Sequence, residues 1–167
     1  MQPFEPLRPE SFYTLETQRE QIVRSEQGRR NDAEYVFGVF LGAGETELLV
    51  GRIALTGVAR GPFQNANLGY FLGKAFTGKG YGKAAVGLAV SFAFGEIGLH
   101  RVQAAVMPWN KPSIGALERN SFEYERLAKK YLQINGIWED HNIYALTVET
   151  WRERPDNQEV GHSPPYR

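Results

Sequence analysis

The sequence predicts a single α/β domain in which helices flank a mixed, mostly antiparallel sheet, and three observations point there. The elements run helix, three strands, helix, strand, helix and a closing hairpin. That order lacks the regular βαβ alternation of a doubly wound parallel sheet and does not read as a barrel. Ile134-Asn135-Gly136-Ile137 joins two apolar runs through a dipeptide that accepts the positive φ angles of a type I′ turn, so the last two strands are antiparallel partners. The length of 167 residues fits one domain and can bury a real core.

Residues 3–9 carry Pro3, Pro6 and Pro9 and read as extended. Ser11 to Gln27 reads as a helix capped by Ser11, with Tyr13, Leu15, Ile22 and Val23 as sparse apolar positions. Tyr35–Leu41 and Glu47–Thr56 are apolar, β-branched runs separated by Gly42-Ala43-Gly44, a hairpin pattern. Gly57–Ala66 contains Gly61-Pro62 and reads as a loop, followed by a strand over Asn67–Leu72. From Gly80 to Phe94 the apolar residues lie almost all round, which predicts a buried helix ended by Gly95 and Gly98. His100–Met107 is a strand with Val102, Ala104 and Val106 on one face, stopped by Pro108. Lys111–Arg119 is a short helix, and Leu127–Ile134 with Trp138–Val148 forms the closing hairpin. Beyond Trp151 the polar, proline-containing tail is expected to fray.

Composition excludes several function classes. Lys plus Arg number 19 and Asp plus Glu number 19, a net charge of zero that argues against a nucleic-acid-binding domain. There is no cysteine, which removes disulfides, thiolate metal sites and a Cys nucleophile. With only three well-separated histidines besides, no metal site is expected. No apolar run approaches the ~18–20 residues of a membrane-spanning helix, and Met1–Pro6 has no signal-peptide pattern. A cytoplasmic protein without a membrane partner is the default expectation.

The segment richest in chemistry is Phe76-Thr77-Gly78-Lys79-Gly80-Tyr81-Gly82-Lys83, which lies between a strand and a helix. Glycines at alternate positions let backbone approach a ligand closely. The first helical turn adds unpaired N–H groups and a positive dipole end, so a phosphate is the expected ligand. Three loop classes compete. A nucleotide P-loop fits Gly73, Gly78 and Lys79, but Gly80 stands where a hydroxyl should hold Mg²⁺. A dinucleotide fingerprint fits Gly78 and Gly80 but ends on Lys83. The pyrophosphate loop of acyl-CoA-dependent N-acetyltransferases fits Gly80 and Gly82, with Thr77 in place of Gln or Arg. A glycine-rich turn without a ligand stands beside all three.

Five local matches in order resemble the GNAT superfamily of N-acetyltransferases. They are Asn67–Leu72, Thr77–Lys83, Leu99–Val102, the segment Asn110-Lys111-Pro112-Ser113 with Leu117–Phe122, and Asn135–His141 with Tyr144-Ala145-Leu146. The last is similar to the closing hairpin of the branch that contains the ribosomal-protein alanine N-acetyltransferases. The resemblance covers about residues 4–148 and assigns residues 1–150 to the acetyltransferase domain and 151–167 to a polar tail. It implies splayed central strands and acetyl-CoA as co-substrate. The departures are Ser121 where Gly is usual, Thr77 in the loop, and Leu117 where many members carry a Tyr proton donor. The family also opens with a strand and a helix before anything matching Ser11–Gln27, and the chain reads as starting after them.

The resemblance implies a set of site residues. Backbone groups of Tyr70, Phe71 and Leu72 are the expected partners of pantetheine. Thr77, Gly78, Lys79, Gly80, Tyr81, Gly82 and Lys83 are expected around the pyrophosphate. Asn110 can both donate and accept toward pantetheine, and is equally the residue type that caps a helix. Ser113 matches the proposed proton donor to the leaving thiolate, although a Ser also suits a helix start. Glu139, Asp140 and His141 could relay a proton through water, with alternation putting Glu139 and His141 on one face. His100 is expected to end a turn. The acceptor is a primary amine, either a protein N-terminal alanine or a small amine such as a polyamine or aminoglycoside. A CoA-binding protein without transferase activity is the third reading, and a homodimer is compatible with all three.

Overall fold

The computed structural model describes residues 8–42 and 47–155. A 3₁₀ turn over Glu10–Tyr13 leads into α1 (Leu15–Arg30). Three strands follow, β1 (Glu34–Leu41), β2 (Leu48–Ala59) and β3 (Asn65–Leu72). After them come α2 (Tyr81–Ser91), β4 (Arg101–Val106) and α3 (Lys111–Glu118), then β5 (Glu123–Ile134), β6 (Ile137–Thr147) and α4 (Val148–Arg152). The six strands form one sheet in the order β1-β2-β3-β4-β6-β5. Every neighbouring pair is antiparallel except β3 and β4, which run parallel. This is the mixed, mostly antiparallel architecture that the element order predicts.

The core lies between the sheet and the helices α2 and α3. Val86 and Val90 of α2 and Leu117 of α3 are buried with Leu55, Val102 and Leu146 from three central strands. Each such side chain contributes about 1.5–3 kcal/mol by leaving water. Ile134 and Ile137 close the terminal hairpin, and Asn135 (φ 49°) with Gly136 (φ 81°) takes up the paired positive φ angles of a type I′ turn.

Several boundaries differ from the sequence expectation, each for a local reason. The first helix is capped by Thr14 rather than Ser11, because the Thr14 side chain accepts the Thr17 N–H while Ser11 sits in the preceding 3₁₀ turn. Gly57 is a β-bulge with φ of 59°, and β2 runs on to Ala59, so the connection to β3 is only residues 60–64. Arg60 in that connection pairs with Asp32 (Nη2 to Oδ1, 2.7 Å), which also accepts the Tyr35 hydroxyl at 2.7 Å. The Arg60 guanidinium holds the Asp32 carboxyl below its usual range. Helix α2 is not buried all round: Ala85, Val86, Ala89 and Val90 face the core while Leu88 is 74% exposed. Its end carries a π turn over Phe92–Glu96. Trp151, the last residue before the tail expected to fray, lies in α4 with its ring 5.5 Å from that of Phe94. Residues 156–167, Gly42-Ala43-Gly44 beyond Gly42, and the proline segment before Arg8 lie outside the described residues.

Ser121 closes α3. It has φ of 65°, and the Phe122 N–H bonds the Leu117 carbonyl across it at 3.1 Å. This is the left-handed position that follows a helix and favours glycine. A side chain there costs about 1–2 kcal/mol, against about 0.5–1 kcal/mol for the extra freedom of glycine in the unfolded chain. Ser121→Gly should therefore stabilise the fold by roughly 0.5–1 kcal/mol, read as a higher urea midpoint at unchanged slope. A lower midpoint would show that the Ser121 side chain makes a contact worth more than the strain.

Candidate active site

Strands β3 and β4 pair over only three positions: Asn65↔Arg101, Ala66↔Val102 and Asn67↔Gln103. Beyond them β3 continues along β2 as far as Leu72, and β4 along β6 as far as Val106. No ladder joins β3 to β4 past Asn67↔Gln103, so the two central strands part. The fork is clasped by side chains: Gln103 Nε2 donates to Asn67 Oδ1 at 2.7 Å. Arg101, next to it, makes two 2.7 Å bonds to the Glu125 carboxylate on β5. A gap between two strands whose peptide groups face each other suits an extended ligand that bonds as a strand would.

The glycine loop leaves β3 at one side of this gap. Gly73 begins a 3₁₀ turn over Lys74–Phe76, and the Thr77 hydroxyl donates to the Lys74 carbonyl at 2.9 Å, closing that turn. Gly80 (φ 84°) is the N-cap of α2, with neither a side-chain cap nor an acidic residue in the first turn. The N–H groups of that turn are therefore left for an external acceptor. A Cβ placed on Gly78 or Gly80 would meet no atom within 4 Å, so the space beside the backbone is open. Lys79 and Lys83 are exposed there, and Lys79 Nζ lies 5.9 Å from the centre of the Phe76 ring. These features fit a pyrophosphate. Gly82 faces the interior instead: a Cβ on it would lie 3.6 Å from Leu72, 3.7 Å from the Tyr70 ring and 4.0 Å from Ala116, ordinary contact distances, so this residue lies where α2 packs on β3 and α3. Tyr81, the first residue of α2, is half-buried.

Helix α3 starts at the other side of the gap. Asn110 is its N-cap, with Oδ1 accepting the Ser113 N–H at 3.3 Å. That leaves the Asn110 amide N–H₂ as a further donor. The Ser113 hydroxyl lies 2.9 Å from the hydroxyl of Tyr70, a β3 residue past the fork. Burial pushes the Tyr70 phenol above its usual value, so it stays protonated. Phe71, its neighbour, is exposed, and Leu72 ends the strand against β2. The end of α3 is tied to the start of α2: the buried Asn120 amide donates to the Lys83 carbonyl at 3.0 Å and to the Ala116 carbonyl at 2.9 Å.

The closing hairpin carries the three acid–base candidates. Opposite Asp140, β5 bulges between Ala128 and Leu132, with Lys130 at φ of 47°. Asp140 Oδ1 accepts the Lys130 N–H at 2.8 Å, so one carboxylate oxygen organises the bulge. Glu139 pairs in register with Leu132 and is partly buried. His141 is buried, with Nδ1 3.0 Å from the Glu139 carbonyl. A carbonyl can only accept, so Nδ1 is the donor in that bond. His100 lies away from the gap, 3.1 Å from Glu149 of α4, and ends a turn as its position implies. No group of three or more potential metal ligands exists among the described residues.

Residues 3–123 match the family model described as "Acetyltransferase (GNAT) domain". The chain belongs to the GNAT acetyltransferase family. It is 42% identical over 143 residues to the Probable N-acetyltransferase YjcK of Bacillus subtilis (strain 168), covering 86% of this chain and 78% of that one. It is 34% identical over 151 residues to the ribosomal protein uS5-alanine N-acetyltransferase of Escherichia coli (strain K12), covering 90% and 77%. The ribosomal-protein-S5-alanine acetyltransferase from Vibrio fischeri superposes with a TM-score of 0.82 at 30% identity, over 89% of this chain and 80% of that one. Mycobacterium smegmatis RimJ, solved in complex with CoA-disulfide, superposes with a TM-score of 0.81 at 26% identity, over 98% and 73%. The parted strands agree with the splayed central strands that the resemblance to this family implies.

Two features of this GNAT site escape sequence reasoning. Tyr70 is expected there for its backbone, whereas its side chain spans from Gly82 to Ser113. Asn120 carries no expectation at all: it follows the charged pair Glu118-Arg119, and nothing local marks it as buried. The cradle itself is testable. Gly80→Val introduces a branched Cβ at a positive φ, costing about 1–2 kcal/mol of stability. If the first-turn N–H groups hold an anion, acetyl-CoA affinity measured by calorimetry should fall on the order of tenfold or more, since hydrogen bonds to a charged group are worth roughly 1.5–3 kcal/mol. Wild-type affinity in a folded variant would remove the loop from the binding site.

Proposed function

We propose that this GNAT protein transfers the acetyl group of acetyl-CoA to the α-amine of a protein or peptide that begins with alanine or another small residue. The observation that carries the reading is the joint placement of the open glycine cradle and the Asn110–Ser113 turn on the two sides of one parted strand pair, linked by the Tyr70 ring. Similarity to two proteins named as alanine acetyltransferases of ribosomal protein S5 supports the acceptor class.

The reaction proceeds by direct attack, in keeping with a chain that has no cysteine to acylate. The amine nitrogen bonds to the thioester carbonyl carbon, the C–S bond breaks, and the sulfur takes a proton. Backbone groups of Tyr70, Phe71 and Leu72 orient the pantetheine arm, and an N–H on this edge polarises the carbonyl. Thr77 to Lys83 hold the pyrophosphate through backbone N–H groups and the two lysine charges. The Asn110 amide contacts the arm with the donors left over from capping α3. Ser113 gives its hydroxyl proton to the departing sulfur. Glu139 takes the proton shed by the amine through water, with Asp140 beside it holding the bulge that sets the hairpin's shape. Most of the acceleration comes from orientation and placed donors.

Two measurements test this reading. Ser113→Ala should lower kcat by about 10²–10⁴-fold, the worth of a general acid, with KM for acetyl-CoA little changed. A wild-type kcat would reduce Ser113 to a helix-start residue. The second measurement is thiol release from acetyl-CoA, screened across peptides opening with Ala or Ser, polyamines and aminoglycosides. For an α-amine acceptor, kcat/KM should level off near pH ~8. A profile still rising through pH ~10, with polyamines or lysine side chains preferred, would replace the peptide acceptor with a small or side-chain amine. Tight acetyl-CoA binding without turnover of any amine would leave a CoA-binding protein.

A further inference from the structure

The Tyr70 hydroxyl has two neighbours on one residue: Ser113 Oγ at 2.9 Å and the Ser113 carbonyl oxygen at 3.3 Å. We propose that Tyr70 is a positioning residue for proton delivery, donating its phenolic hydrogen to Ser113 Oγ so that the Ser113 hydrogen is free to point into the gap between β3 and β4. This inference rests on the proton-donor role given to Ser113 above.

Acidity selects this direction, and the contact length is compatible with it. The Oγ contact is the shorter of the two and of good length for an O–H···O bond. A phenol is a far better donor than an aliphatic alcohol, and the Ser113 hydroxyl is at the same time the better placed acceptor. The opposite arrangement would turn the Ser113 hydrogen onto Tyr70 and away from the substrate. The Tyr70 ring cannot easily turn elsewhere. Its edge lies under the first turn of α2, 3.7 Å from where a Gly82 Cβ would be, and its backbone is in register with Ile53 of β2. Ser113 is held from its own side, since its N–H bonds the Asn110 cap at 3.3 Å. Both hydroxyls are thus fixed by separate elements, and the bond between them spans the gap.

The bond matters most during transfer. As the C–S bond breaks, the Ser113 hydrogen passes to sulfur and Oγ acquires negative charge. A donor already aimed at Oγ stabilises that charge, because a hydrogen bond to an ionised acceptor is about twice as strong as a neutral one. Glu139 takes the proton that the ammonium formed on the acceptor sheds, and passes it back through water to Oγ. The net reaction converts an amine and a thioester to an amide and a thiol. Tyr70 keeps its own proton throughout, as its buried, hard-to-ionise phenol requires.

Tyr70→Phe keeps the ring and removes only the hydroxyl. With acetyl-CoA and the amine that the thiol-release screen selects, kcat should fall by roughly 10-fold or more while KM for acetyl-CoA stays within about twofold. In the Ser113→Ala background the same change should have almost no further effect, since the two hydroxyls act as one unit. Acetyl-CoA affinity by calorimetry and the thermal midpoint show that Tyr70→Phe is folded and loaded. Wild-type kcat in Tyr70→Phe alongside a slow Ser113→Ala, or full additivity of the two losses, overturns the Tyr70 role and leaves Ser113 standing. A normal Ser113→Ala, or no turnover of any amine, overturns the proton-donor reading itself, and Tyr70 with it. An equal rise of KM with unchanged kcat would make Tyr70 a binding residue instead.

Discussion

Everything at the site depends on β3 and β4 pairing for three residues and then parting. A parallel ladder that continued would bury its peptide groups in one another and leave no slot. Parting leaves backbone polar groups to be satisfied by something other than a neighbouring strand, since unpaired buried peptide groups are costly. The outer edges of both strands stay paired, β3 with β2 and β4 with β6, so the opening is held by rigid sheet on each side rather than by loops. The side-chain bond between Asn67 and Gln103 falls at the last paired position, where it pins the point of divergence. A site built this way is precise because its geometry is inherited from the sheet.

Three elements, β3, α2 and α3, meet over that opening and are tied to one another by named contacts. Gly82 in the first turn of α2 lies against the Tyr70 ring, Tyr70 reaches Ser113 at the start of α3, and Asn120 at the end of α3 returns to Lys83 in the first turn of α2. The chain of contacts is closed. Losing the buried Asn120 amide would leave its acceptors short of a donor, at about 1–3 kcal/mol. It would also loosen the cradle and the proton donor together. In the proposed function, binding and catalysis would therefore share one mechanical frame, which is why measurements that separate kcat from KM are the informative ones.

The architecture was largely legible because its signals are local. Asn135-Gly136 declares its own turn, Pro108 ends β4, and the spacing of Gly78, Gly80 and Gly82 marks a helix start beside backbone that must stay bare. The misses are positions where tertiary contacts decide. Nothing adjacent in sequence tells Thr14 from Ser11 as the cap, and Gly57 reads as a loop residue until the β2–β3 register shows it to be a bulge. The exposed Leu88 defeats a reading based on apolar content alone, because composition cannot say which side of a helix meets the sheet. At the site, residue types pointed to Asn110, Ser113 and the glycines, while the tie from Tyr70 to Ser113 joins residues 43 apart and has no local trace. Ser121 is the instructive intermediate case. Its departure from glycine was visible in the sequence, and its positive φ gives that departure a physical meaning.

The distribution of polar groups also bears on which amine the site can use. The leaving-group side is well built, with Ser113 held by both Asn110 and Tyr70. The side that would take the amine's proton is sparse. Asp140 commits an oxygen to the Lys130 N–H and His141 lies buried, which leaves Glu139 as the partly exposed group. A weakly equipped base matters little if the amine arrives neutral. At pH 7 an α-amine with a pKa of ~8 is neutral in about one molecule in ten, whereas a lysine amine at ~10.4 is neutral in about one in 2,500. That difference of roughly 250-fold is comparable to the contribution of an entire general base, on the order of 10²–10⁴-fold. Under the proposed function, fixed groups spent on protonating the sulfur suit an N-terminal amine, and on that reading the same arrangement would serve a lysine side chain poorly.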